Sequence, residues 1–122
     1  MEEVHPSYLA AYKNGRLDEV TSQLFKMLKS CVICPRKCGV DRTKNERGFC
    51  KTGLNALVYS YMAHQGEEPP ISGVKCSGTV FFSNCNMGCR YCQNYEFSQD
   101  GRGKEVDAEE LAKFMLELQE MN

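Results

Sequence analysis

Eight cysteines in 122 residues fall into two sets and a singleton. Cys85, Cys89 and Cys92 stand at a C-x3-C-x2-C spacing within CNMGCRYCQNY. A 4Fe-4S cube ordinarily takes one thiolate per iron, so a three-cysteine loop would leave one iron for a ligand from outside the chain. Asn86, Gly88 and Asn94 tolerate tight turns, which lets a loop this short bring three sulfurs to one side. Zinc is the alternative occupant, and a closed structural zinc site needs a fourth ligand. Cys76 is the nearest candidate. If Gly78 to Ser83 is a strand rising about 3.3 Å per residue, however, Cys76 lies roughly 20 Å or more from the loop.

Upstream, Cys31, Cys34, Cys38 and Cys50 form C-x2-C-P-x2-C followed by a distant G-F-C. Four thiolates are enough to close one tetrahedral zinc or one fully ligated cluster, and the spacing does not choose between them. Arg36, Lys37, Arg42, Lys44, Arg47 and Lys51 crowd this stretch against only Asp41 and Glu46. Their simplest role is to offset the negative charge of clustered thiolates. His64 with Glu67 and Glu68 could bind a metal or move protons, but a histidine and paired carboxylates in HQGEEPP are equally ordinary in a surface turn.

The elements that must position these residues follow from patterning. Leu17, Val20, Leu24, Met27 and Leu28 recur at helical spacing, giving a short helix, a turn at Asn14-Gly15 and an amphipathic helix whose apolar face packs on a core. The stretch from Cys31 has no periodicity and reads as a loop-rich module folded around a metal. Leu57 to Met62 is a β-like run, stopped by the prolines and glycines of HQGEEPPISG. GTVFFS, Gly78 to Ser83, is short and apolar enough to be a strand buried on both faces. After the cysteine loop, Asp107 with Glu110 opens a helix lined on one face by Leu111, Met115 and Leu118. The chain therefore divides into a helical segment 1–30, a Cys-rich module 31–56, and a strand-loop-helix region 57–122. The class is α/β.

No stretch approaches the roughly 20 apolar residues of a membrane span, and MEEVHPS lacks the basic and apolar regions of a signal peptide. The expected location is the cytoplasm, where thiols stay reduced and cysteines read as metal ligands before they read as disulfides. A net charge of -1 lacks the strongly basic footprint of a general nucleic-acid binder. Neither nucleic acid nor membrane is an expected partner.

Cys-x3-Cys-x-aromatic-Cys after a buried strand resembles the signature of the radical S-adenosylmethionine enzymes. The ordered set CVICPRKCGVDR, ERGFC, HQGEEPPISG and SGTVFFSNCNMGCRYCQNYEFSQ is similar to an uncharacterised branch of that superfamily, related to the pyruvate formate-lyase activating enzyme. The resemblance implies that Cys85, Cys89 and Cys92 hold a 4Fe-4S cluster whose open iron binds S-adenosylmethionine and, once reduced, cleaves it to a 5'-deoxyadenosyl radical. It implies that Tyr91 lies near the adenine; Asn94 and Gln99, which follow the loop, either border the cofactor pocket or just shape the turn. A reductant such as flavodoxin or ferredoxin and a substrate such as a glycyl-radical protein would be the partners. It further implies a partial (β/α) TIM-like barrel of which this chain is the truncated N-terminal portion, completed by a missing C-terminal part. Cys76 stands where such relatives carry a small residue. Two other classes remain open on the residues: a small iron-sulfur electron carrier, and a zinc-stabilised interaction module without redox chemistry.

Overall fold

The computed structural model describes residues 5–73 and 75–121. The first four residues of the N-terminal segment, Val74 and Asn122 lie outside them. Helix α1, Tyr8–Lys13, and helix α2, Arg16–Met27, are separated at Asn14-Gly15 as the sequence predicts, with Asn14 Oδ1 accepting from the Arg16 amide at 3.1 Å. Their packing differs from expectation. Neither helix has a buried residue, and Leu24 and Phe25 are more than half exposed. An amphipathic face in the sequence marks a surface able to pack; among the described residues nothing covers this one fully.

The Cys-rich stretch contains one 3-10 turn, Arg42–Lys44, started by Asp41, whose carboxylate accepts from the Thr43 amide at 3.0 Å. Strand β1, Ala56–His64, follows and stops before Gln65-Gly66; then comes a single helical turn α3, Pro69–Ser72, opened by its two prolines. Strand β2, Ser77–Phe82, leads into the cysteine loop, which ends in a one-turn helix α4, Tyr95–Ser98. Strand β3, Lys104–Val106, precedes helix α5, Ala108–Glu120. The α5 start is capped as predicted, Asp107 Oδ1 accepting from the Glu110 amide at 2.8 Å. The reciprocal half of a capping box is replaced, because the Glu110 carboxylate pairs with Lys104.

The sheet is three-stranded and antiparallel, in the order β2-β1-β3. Val58 pairs with Phe82 on one side and with Lys104 on the other, while His64 pairs with Ser77. Val58, Val106 and Leu118 form its buried apolar centre. Burying each such side chain contributes about 1.5–3 kcal/mol, so this small core gains noticeably from every additional tie. Strand β3 was not anticipated, and β2 is not buried on both faces: Phe82 is 45% exposed, and an open groove runs between Gly78, Val80 and Phe82 and the Met115 and Leu118 side of α5. Of the face predicted for α5, Leu118 is buried and Met115 is exposed. Phe114 instead stacks on Tyr61, with ring centroids 4.2 Å apart. No parallel strand pair forms among the described residues, and one strand-loop-helix unit does not amount to a TIM-like barrel.

Candidate functional site

The cysteine loop is suspended between two anchors on the sheet. At its start, the Ser83 amide donates to Leu57 O at 2.7 Å and the Ser83 hydroxyl to Arg102 O, carrying β2 beyond its last paired residue. At its end, Phe97 of α4 stacks on Tyr59 at 4.7 Å and meets Phe81 edge-on at 5.9 Å. The Asn84 amide closes the two ends together by donating to Phe97 O at 2.9 Å.

Within this frame Cys85, Cys89 and Cys92 are all half-buried. The Met87 amide donates to Cys85 Sγ at 3.4 Å, and Cys92 Sγ shares a hydrogen bond with Ser98 Oγ at 3.2 Å. Gln99 Nε2 donates to Cys89 O at 2.6 Å, and Lys51 Nζ donates to Gln99 O at 3.2 Å. A cavity of about 160 Å³ opens beside Cys85, lined by Phe49, Cys50, Lys51, Asn84, Gly88, Ser98 and Gln99. The residues fit a cluster on three counts: soft thiolate donors, an N–H already directed at the Cys85 sulfur, and free space beside that same cysteine.

The Cys-rich module clasps this loop from outside. Arg36 Nε donates to Asn86 O at 3.0 Å and its guanidinium NH2 to Met87 O at 3.2 Å, while the same guanidinium lies 3.7 Å over the Phe49 ring. Gly88 turns with φ +68°, and a Cβ there would meet Phe49 Cζ at 3.0 Å, so the loop needs glycine for both its turn and its fit. The contact is reciprocal at Cys34. Its thiol is held below the ordinary value chiefly by the Arg36 amide and next by the Asn86 side chain, against a small opposing effect of burial.

Cys31, Cys34, Cys38 and Cys50 all line one cavity of about 20 Å³ together with Arg36, Arg42, Gly48 and Asn86. Cys50 thus borders both cavities. Even so, no three or more His, Cys, Asp or Glu side chains among the described residues converge closely enough to hold a metal ion as the chain stands. Metal uptake in either set therefore requires the cysteine side chains to rotate inward.

The remaining predicted site residues fall elsewhere. Tyr91 is 92% exposed, and the residues lining the cavity beside Cys85 are others. Gln99 does border that cavity, whereas Asn94 closes the α4 turn by accepting from the Ser98 amide at 2.9 Å. Cys76 precedes β2 and His64 pairs with Ser77, so both sit at the end of the sheet away from the loop, roughly 20 Å along the strand. His64 Nδ1 lies 3.5 Å from Glu67, a local i,i+3 pair on the surface turn. Arg36, Phe49 and Ser98 are not among the residues the sequence predicts for the loop's site, and Asn86, expected only to shape the turn, also faces Cys34. Arg36 stood out only as one of six cations, and no local signal ties it to a loop 50 residues on.

A family model described as a 4Fe-4S single cluster domain matches residues 71–122, a stretch that contains Cys85, Cys89 and Cys92. An uncharacterized protein of Methanocaldococcus jannaschii is 36% identical over 81 residues, covering 66% of this chain and 22% of the relative. The chain thus spans about a fifth of the length of the curated relative it matches. No solved structure gives a significant match. These findings support an iron-sulfur protein with a 4Fe-4S cluster domain. They correct the resemblance drawn from the motifs: the matching family is a single cluster domain, not the radical S-adenosylmethionine superfamily or its pyruvate formate-lyase activating branch, and the relative carries no assigned activity. A three-cysteine loop after a strand is a property of cluster binding, which is broader than one superfamily. Among the described residues, no helix is long and apolar enough to cross a membrane.

Proposed function

We propose that this chain is a one-electron iron-sulfur protein that holds a 4Fe-4S cluster on Cys85, Cys89 and Cys92, with the fourth iron kept by a ligand other than these three, and exchanges electrons with a reductant such as flavodoxin or ferredoxin in the reducing cytoplasm. The observation that carries this reading is the anchored loop: three half-buried thiols on a backbone tied at both ends, with the Met87 amide directed at Cys85 Sγ, inside the stretch that matches the cluster domain. When bound, the cluster supplies a one-electron couple whose potential depends on charge, hydrogen bonds to sulfur and solvent exposure. The chain sets each of these. The Met87 amide and Ser98 hydroxyl stabilise electron density on sulfur, and Arg36 and Lys51 bring positive charge to the loop's outer side. Half-burial leaves a short path for an electron to a docked partner.

A second reading is favoured by the three-thiolate count together with the open cavity beside Cys85. One iron would then be exchangeable and would take a small ligand bearing amino and carboxylate groups. S-adenosylmethionine is the ligand to test, with its reductive cleavage to a 5'-deoxyadenosyl radical as the corresponding enzyme activity.

One experiment separates the two. The chain is reconstituted anaerobically with iron and sulfide, reduced, and its electron paramagnetic resonance recorded with and without S-adenosylmethionine, alongside the Cys85→Ala/Cys89→Ala/Cys92→Ala variant. A cluster signal that is unmoved by the ligand and absent in the variant is the expected result for the electron carrier. A signal that shifts with the ligand establishes the exchangeable iron. A signal undiminished in the triple variant removes the proposed ligand set.

A further inference from the structure

We propose that Cys31, Cys34, Cys38 and Cys50 bind one zinc ion in a closed tetrahedral thiolate site, distinct from the cluster, and that this ion fixes the clasp placed on the 85–92 loop. The backbone already juxtaposes the four residues. The Cys31 amide donates to Val40 O at 3.0 Å and the Gly39 amide to Cys31 O at 3.0 Å, bringing Cys31 alongside the segment that carries Cys38. Between Cys34 and Cys38 the chain makes a tight turn, with the Lys37 amide donating to Cys34 O at 3.0 Å and Lys37 at φ +44°. The Cys50 arm crosses against Cys38 at Gly48, where a Cβ would stand only 2.7 Å from Cys38 Sγ. Any other residue there would push the fourth ligand away.

Size selects the occupant. All four cysteines line a cavity of about 20 Å³, room for roughly one water-sized body. A cube of four irons and four sulfides is far larger and would force the module open. A single ion needs only rotation of the side chains until each sulfur is about 2.3 Å from it. Four thiolates on a divalent ion leave excess negative charge, which Arg36 and Arg42 at the cavity wall offset. The consequence for the loop follows from chain order. Arg36 lies between two of these ligands and Phe49 immediately precedes a third, so fixing the sulfurs fixes the guanidinium and ring that hold Asn86, Met87 and Gly88.

The test uses the Cys85→Ala/Cys89→Ala/Cys92→Ala chain, in which the cluster cannot form, so its outcome does not depend on the electron-transfer reading. Metal analysis is expected to find about one zinc per chain and no iron. Cobalt replacing that zinc should give the intense visible bands of a tetrahedral four-thiolate site. Cys31→Ala, Cys34→Ala, Cys38→Ala and Cys50→Ala should each cut retained zinc at least about tenfold, whereas Cys76→Ala leaves it unchanged. Should an alanine variant not fold, Cys50→His keeps four ligands and should alter the cobalt spectrum as one thiolate is replaced. Iron with labile sulfide in the triple variant, absence of any metal, or a cobalt spectrum indifferent to Cys50→His would each overturn the assignment.

Discussion

The two cysteine sets of this chain differ less in ligand chemistry than in the space they enclose. Cys31, Cys34, Cys38 and Cys50 surround about 20 Å³ and are locked by backbone hydrogen bonds within the same module. Cys85 faces about 160 Å³, and its loop depends on contacts from elsewhere: Phe97 on the sheet, Arg36 and Lys51 from the upstream module. On the proposals made above, one set closes on an ion and the other remains accessible. Thiolate count alone predicts neither, because volume and anchoring are properties of the packed chain.

Breaking the open region from inside should have the largest effect. Gly88→Val places a β-branched side chain at φ +68° against the Phe49 ring, a strain of about 2–3 kcal/mol. Cluster occupancy after reconstitution, read from visible absorbance, should fall several-fold while the metal content of the upstream set is unchanged. Breaking the clasp from outside is next. Arg36→Ala removes two hydrogen bonds and the stacking on Phe49, together about 1–2 kcal/mol once exposure is allowed for. The cluster should bleach faster in air without loss of its initial stoichiometry; an equal loss from both cysteine sets would show that Arg36 merely supports folding.

Away from both regions, the scaffold should respond uniformly. Asp107→Ala deletes the α5 cap and should lower stability in urea by about 1 kcal/mol, with no preference for either metal site. Smallest is the response at Tyr61, whose phenol donates to Glu117 at 2.8 Å. That hydrogen bond, with the carboxylate's charge, raises the phenol above its ordinary value of about 10. Because the folded-state value is raised, its contribution is complete at lower pH and is lost as pH rises through the raised value. Ultraviolet titration of wild type against Tyr61→Phe should show one late-titrating phenol missing.

Local pattern made part of this molecule legible. The apolar runs at 57–62 and 78–83 lie within or almost within β1 and β2, Asn14-Gly15 separates two helices, and Asp107 starts α5. What escaped is non-local. Strand β3 reads Lys-Glu-Val, with too little apolar content to signal a strand, and it forms because β1 offers an open edge some 50 residues earlier. The clasp of Arg36 on Asn86 and Met87 spans a similar separation. Burial was overestimated for the same reason: the periodicities of α2 and β2 report surfaces able to pack, while Leu24 and Phe82 show that packing needs a partner. Tyr91, placed by motif analogy near a ligand, points out into solvent.

The most direct measurement is a Mössbauer spectrum of the anaerobically reconstituted chain prepared with iron-57, taken together with its iron, sulfide and zinc content. The account predicts the signature of one 4Fe-4S cluster, about four irons and one zinc per chain, with the iron signal abolished by loss of Cys85, Cys89 and Cys92 and the zinc retained. Iron distributed over both cysteine sets, or a colourless protein carrying zinc alone, would contradict it.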